Sequence, residues 1–234
     1  MKRGIILLVF VFGIAVTTCL SISKSVVKET RDLAGFTKVN FGVSGNLYIN
    51  LGKEFKVVLE GEQSLLENIE TNVSGGKLVI KKSNWRRNMN EKLTVYITMP
   101  EVKGLAVSGS GKAEIKDAVK SDDLSLSVSG SGKLFASDVE VSNMNCSISG
   151  SGDIILGGNG NISRADLSIS GSGSYSGEAA KIATLEISIS GSGNCSCYVT
   201  ESLKASVSGS GSVNYMGSPR VDARVSGSGR VRSN

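Results

Sequence analysis

Seven times along the chain, two apolar residues separated by one residue lead into the tetrapeptide SGSG. The pairs are Leu105 and Val107, Leu126 and Val128, Cys146 and Ile148, Leu167 and Ile169, Ile187 and Ile189, Ala205 and Val207, and Ala223 and Val225. After most of the tetrapeptides the alternation resumes, as in Ala113 and Ile115, Leu134 and Ala136, Ile154 and Leu156, Cys195 and Cys197, and Val213 and Tyr215. A period of two over short runs predicts strands with one buried face. Each SGSG therefore joins two strands, and glycine at such a corner supplies backbone angles and space that other residues cannot.

The tetrapeptides begin at Ser108, Ser129, Ser149, Ser170, Ser190, Ser208 and Ser226, so their spacing runs 21, 20, 21, 20, 18 and 18 residues. A near-constant pitch of this size marks a solenoid, in which each coil buries its apolar face only by stacking on its neighbours. The predicted fold is all-β: a right-handed single-stranded parallel β-helix of about seven SGSG-cornered coils, the hand following from the preference of parallel crossovers. At about 4.8 Å per coil it would span roughly 34 Å. In-register stacking would place Ser127, Ser147, Ser168, Ser188 and Ser206 in an outward ladder, and the corner serine hydroxyls are expected to satisfy corner amides or the adjacent coil.

Residues 36–104 are less regular. Val39, Phe41 and Val43 alternate into Ser44-Gly45 and on to Leu47 and Ile49, a shortened version of the same template. Strands are also predicted around Phe55–Leu59, Leu78–Ile80 and Leu93–Met99, with a brief helical turn over Ser64–Ile69. This part reads as a β-rich N-terminal cap that closes the stack against edge-to-edge pairing. The last coil, VSGSGRVRSN, shows no cap, and its edge is expected to be covered by a partner or by self-association.

Residues 1–18 have a basic start (Lys2, Arg3), an apolar run from Ile5 to Val16, and small residues before Cys19, the pattern of a secretory signal peptide; 19–35 then form a linker. VTTC resembles a lipobox, which would place a lipid on Cys19, but Thr18 stands where Gly, Ala or Ser is usual. An anchored envelope lipoprotein and a periplasmic or freely secreted protein both follow from such a leader. No later apolar run is long enough to span a bilayer as a helix, so a lipid anchor would be the chain's only membrane attachment.

Several segments together resemble the head GIN domain family, described as auto-transporter adhesins of the bacterial envelope. They are FTKVNFGVSGNLYINLGKEFKVVLEG at 36–61, KLTVYITMPEVKGLAVSGSGKAEI at 92–115, and the SGSG coils that follow. The likeness covers about residues 36–230 and implies a β-helical envelope protein, with no catalytic residues to carry over. The Asp common after the family's GSG is present here only as Asp153, while Lys112, Lys133 and Arg230 take that place elsewhere.

Composition narrows the chemistry. The chain has no histidine, which removes Ser-His-Asp and Cys-His machinery, HExxH zinc sites and the usual neutral-pH proton shuttle. A net charge of +5, or +3 without Lys2 and Arg3, is too mild to indicate nucleic acid. The CxC at Cys195 and Cys197, like Cys146, reads as small buried apolar residues rather than a metal site. No cofactor and no metal are expected.

The leading reading is a non-catalytic exported protein of the cell envelope, an adhesin or binding scaffold for a glycan or protein. The alternative from another class is a polysaccharide-acting β-helical enzyme, which would need converging carboxylates. Asp117, Asp122, Asp123, Asp138, Asp153 and Asp166 instead fall at different phases of the coil, so the chain is read as not an enzyme. The one irregular basic loop, KKSNWRRNMNEK at 81–92, offers Trp85, Arg86 and Arg87 as candidate ligand contacts, against the plainer reading of a solvated hairpin tip.

Overall fold

The computed structural model describes residues 25–83 and 92–234. All of its strands belong to one 17-stranded sheet that winds on itself as a parallel β-solenoid, around one continuous apolar core. The signal segment with Cys19, and Trp85, Arg86 and Arg87, lie outside the described residues.

The N-terminal part contains β1 (Val26–Arg31), β2 (Lys38–Gly42), β3 (Asn46–Leu51), β4 (Lys56–Glu62), the short α1 (Gln63–Leu66), β5 (Ile69–Ser74), β6 (Lys77–Lys82), β7 (Thr94–Met99) and β8 (Gly104–Gly109). The repeat region follows as β9 (Lys112–Gly130), β10 (Lys133–Gly150), β11 (Asp153–Leu156), β12 (Asn161–Gly171), β13 (Ser174–Gly191), β14 (Asn194–Gly209), β15 (Ser212–Met216), β16 (Arg220–Gly227) and β17 (Arg230–Ser233).

The coils of β9 to β13 bury their alternating residues in three groups. In β10 these are Leu134 and Ala136, then Val139 and Val141, then Met144, Cys146 and Ile148. The first group follows a corner and the last precedes the next corner. The middle group, on a third face, comes after a register shift between Ala136 and Asp138 that breaks the alternation.

Stacking is in register at every SGSG corner. The first glycine of each has positive φ, from +88° at Gly109 to +120° at Gly191. A Cβ on Gly171 would lie 2.5 Å from the Gly150 carbonyl oxygen of the coil below. The second glycine is excluded by space instead: a Cβ on Gly132 would meet Val107 Cγ1 at 2.7 Å and the Gly111 oxygen at 2.8 Å. This contact distance is too short for any side chain.

That close approach is what satisfies the corner amides. The Ser151 N–H donates to the Gly130 carbonyl at 2.9 Å, the Ser172 N–H to Gly150 at 2.8 Å and the Ser192 N–H to Gly171 at 2.9 Å. The role expected of the corner serine hydroxyls is thus taken by glycine carbonyls, which only a coil without side chains can bring so near.

The N-terminal part is more than a cap. β2 and β3 form a coil that packs between β8–β9 on one side and β6–β7 on the other, all parallel. The chain therefore lays down this coil before either neighbour. Antiparallel strands close the outer end: β5 pairs with β6, β4 with β7, and β1 with β4. The helical turn expected near Ser64 is α1, which buries Leu65 and Leu66. At the other end Val221 and Val225, in the inward phase of β16, are 38% and 44% exposed.

Candidate binding surface

The face leading into the corners carries the predicted serine ladder. Ser127, Ser147, Ser168, Ser188 and Ser206 are register partners through β9, β10, β12, β13 and β14. Beside them runs a second column, Ser125, Asn145, Asp166, Glu186 and Lys204. Between the columns lies a shallow groove of about 490 Å³. Glu186 and Lys204 are tied at 2.7 Å, and this bond, with the lysine's charge, holds the Glu186 carboxyl below its ordinary range.

The face leaving the corners differs, because its outward positions are aromatic and aliphatic near the N-terminal end. One row across the strands reads Val58, Tyr96, Tyr48, Glu114, Phe135 and Ile155. Tyr48 and Tyr96 stack with ring centroids 5.7 Å apart and planes at 27°. Lys116 lies over the Tyr48 ring at 4.8 Å and Lys28 over the Tyr96 ring at 5.7 Å. Each lysine is held by a carboxylate: Lys116 by Glu114 at 2.7 Å and Lys28 by Glu60 at 3.3 Å. Partial burial, with the Glu60 charge beside it, raises the Tyr96 hydroxyl above its usual value, so it remains a protonated donor at neutral pH.

Beyond this clamped pair a cleft of about 220 Å³ opens between Tyr48 and Phe135. Asn46, Lys112, Glu114 and Lys133 supply its polar lining. Tyr48, Tyr96 and Phe135 carry no sequence motif: they come from three separate segments and meet only through strand register.

Five of the six aspartates singled out from the sequence each make a separate structural contact. Asp117 accepts from the Leu51 N–H at 2.7 Å, Asp123 from Asn143 at 3.1 Å, and Asp138 from the Val139 N–H at 3.0 Å. Asp153 pairs with Lys133 at 2.6 Å and Asp166 with Arg164 at 3.5 Å. Among the described residues no three His, Cys, Asp or Glu side chains are grouped to hold a metal ion. Cys146, Cys195 and Cys197 are free and buried. Burial pushes the Cys146 thiol up to about 12 and raises Cys195 as well, so neither is a nucleophile at neutral pH.

The strands flanking the Trp85 segment do not pair with each other. β6 pairs with β5 and β2, and β7 with β3 and β4. The hairpin turn in this region is at Gly75-Gly76, where both glycines have positive φ.

Comparison with known proteins places the chain in a family. The family described as "Putative auto-transporter adhesin, head GIN domain" matches residues 35–219. A comparison with curated proteins finds no match. Among solved structures, a "putative adhesin" from Bacteroides fragilis superposes with a TM-score of 0.84 at 25% identity, covering 91% of this chain and 98% of its own. A "putative lipid binding protein" from Parabacteroides distasonis gives 0.76 at 22% identity, with the same coverages. A "putative adhesin" from the same species gives 0.75 at 20% identity, again covering 91% and 98%.

Proposed function

The chain belongs to the head GIN domain family, and from that premise we propose that it is a non-catalytic binding protein of the bacterial cell envelope, exported by its N-terminal segment. The observation that supports this most directly is the in-register serine ladder from Ser127 to Ser206. It gives the rod a flat, repetitive, hydrogen-bonding face several coils long, suited to an extended ligand rather than to a small enclosed substrate. Five aspartates that each serve a separate structural bond, and thiols locked in the core, fit a scaffold that recognises rather than transforms.

Saturable binding of purified protein to bacterial or host cell surfaces, without release of soluble sugar or lipid products, is the expected result. Product release that depends on any of the named carboxylates would overturn the non-catalytic reading. Fractionation with mass spectrometry of the mature N-terminus tests export: a lipidated Cys19 in the membrane fraction, or an unmodified chain cleaved nearby in the periplasm or medium, both agree with it. An uncleaved cytoplasmic protein would not.

A further inference from the structure

We propose that the cleft between Tyr48 and Phe135 is a binding site for an acidic saccharide unit, a hexuronate within a longer glycan. The inference rests on the reading of the chain as a binding protein and assigns one ligand class to one place on it.

Three features of the cleft select that class. Aromatic surface lies beside polar groups of both kinds: Phe135 and Tyr48 flank the space, Lys112 and Lys133 donate, Glu114 accepts, and Asn46 does both. A pyranose presents the same combination, with C–H faces that favour the negative face of an aromatic ring and equatorial hydroxyls that need donors and acceptors at the rim. Extended peptide is disfavoured, since every strand under the cleft is already paired on both sides and offers no free edge for strand addition. An acyl chain would need an enclosed apolar space, whereas this cleft of about 220 Å³ is shallow and ringed by charge.

The charge balance selects the acid. Of Lys28, Lys112, Lys116 and Lys133 beside the aromatic row, three are matched to carboxylates: Lys28 to Glu60, Lys116 to Glu114 and Lys133 to Asp153. Lys112 is left without an ion-pair partner among the described residues, and it lines the cleft. A sugar carboxylate would supply its missing partner. The site is also prepared in advance, because the Lys28–Tyr96–Tyr48–Lys116 stack fixes one wall and Phe135 is half-buried over Gly157, whose Cβ would stand 3.1 Å from the ring.

Titration calorimetry of the whole protein with oligogalacturonate, and with a neutral cello-oligosaccharide of equal length, tests the assignment. Saturable binding of the uronate, weakened at least about tenfold by Phe135→Ala and by Lys112→Ala, is expected, with Lys112→Arg restoring most of it. Glu201→Gln, at an exposed position of β14 away from both the cleft and the serine ladder, should leave it unchanged. Absence of uronate binding, equal binding of the neutral oligomer, or binding indifferent to Phe135 and Lys112 would each overturn the proposal. Circular dichroism of the variants separates loss of the site from loss of the fold. Cell-surface binding that persists when the uronate does not bind would reject this cleft alone, whereas loss of both would reject the binding role itself.

Discussion

The carboxylate of Asp117 accepts a 2.7 Å hydrogen bond from the backbone N–H of Leu51, which lies 66 residues earlier in the chain. Register pairing of β3 with β9 ends at Ile49 and Ile115, so the side chain carries on the ladder where the backbone turns away. Asp117→Ala should cost about 1 kcal/mol, and Asp117→Asn, which keeps an acceptor oxygen, should recover part of it. Urea unfolding of the two variants checks this; identical midpoints for Ala and wild type would show that water serves the Leu51 amide equally well.

The corner glycines should be far less replaceable than the corner serines. Gly171→Ala combines a φ of +115° with a 2.5 Å clash against the Gly150 oxygen, and Gly173→Ala would press on Ile148 Cγ2 at 2.5 Å. Each should destabilise by roughly 2–4 kcal/mol through backbone strain and overpacking. Ser172→Ala, which keeps the backbone bond to Gly150, should stay within about 0.5 kcal/mol of wild type. Thermal melts of the three variants suffice, and a serine variant as damaged as the glycine ones would restore the hydroxyl to a structural role.

These corners also show how far the sequence could be read. The SGSG pitch and the flanking alternation specify the coils, the serine ladder and the core groups on either side of the corners for β9 to β14, because each coil's neighbour is the next in sequence. The placement of β2 and β3 was not legible: Val39-x-Phe41 alternates identically whether its coil stacks on the next strands in sequence or, as here, between β6–β7 and β8–β9. The third inward group, Val139 and Val141, was hidden by the register shift that resets the period. Tyr48, Tyr96 and Phe135 escaped for a different reason. An outward aromatic in an alternating strand carries no local signal, and only three-dimensional register brings the three into one row.

Tyr175 is fully buried, and its hydroxyl has no hydrogen-bond partner among the described residues. Tyr175→Phe removes an unsatisfied polar atom while keeping the ring, so it should stabilise the protein by about 1–2 kcal/mol. A higher melting temperature is the expected readout; a lower one would reveal a partner for the hydroxyl in solution.

Alkaline pH should unfold the protein through its core thiols. Burial raises the Cys146 thiol from 9.0 to about 12, so the folded state favours its neutral form. That contribution is complete below pH 9 and is lost as pH rises from 9 towards 12, with a slope of about 1.4 kcal/mol per pH unit for one group. Cys195 and Tyr175, also raised by burial, add to the same slope. Denaturant midpoints measured at pH 8 and pH 10.5 should fall steeply in wild type and less so in Cys146→Ala. Equal slopes would place the alkaline sensitivity elsewhere.

The interleaved order of the first coils bears on how such a chain folds as it is made. As residues emerge from the N-terminus, β2 and β3 have no surface to stack on until β6 to β9 have followed, because both flanks of their coil come from later sequence. A partly emerged chain therefore lacks the contacts that would close this end of the rod. Closure of the N-terminal coils is deferred until about half of the molecule is available, so this end of the rod is completed only after the middle of the chain has been made.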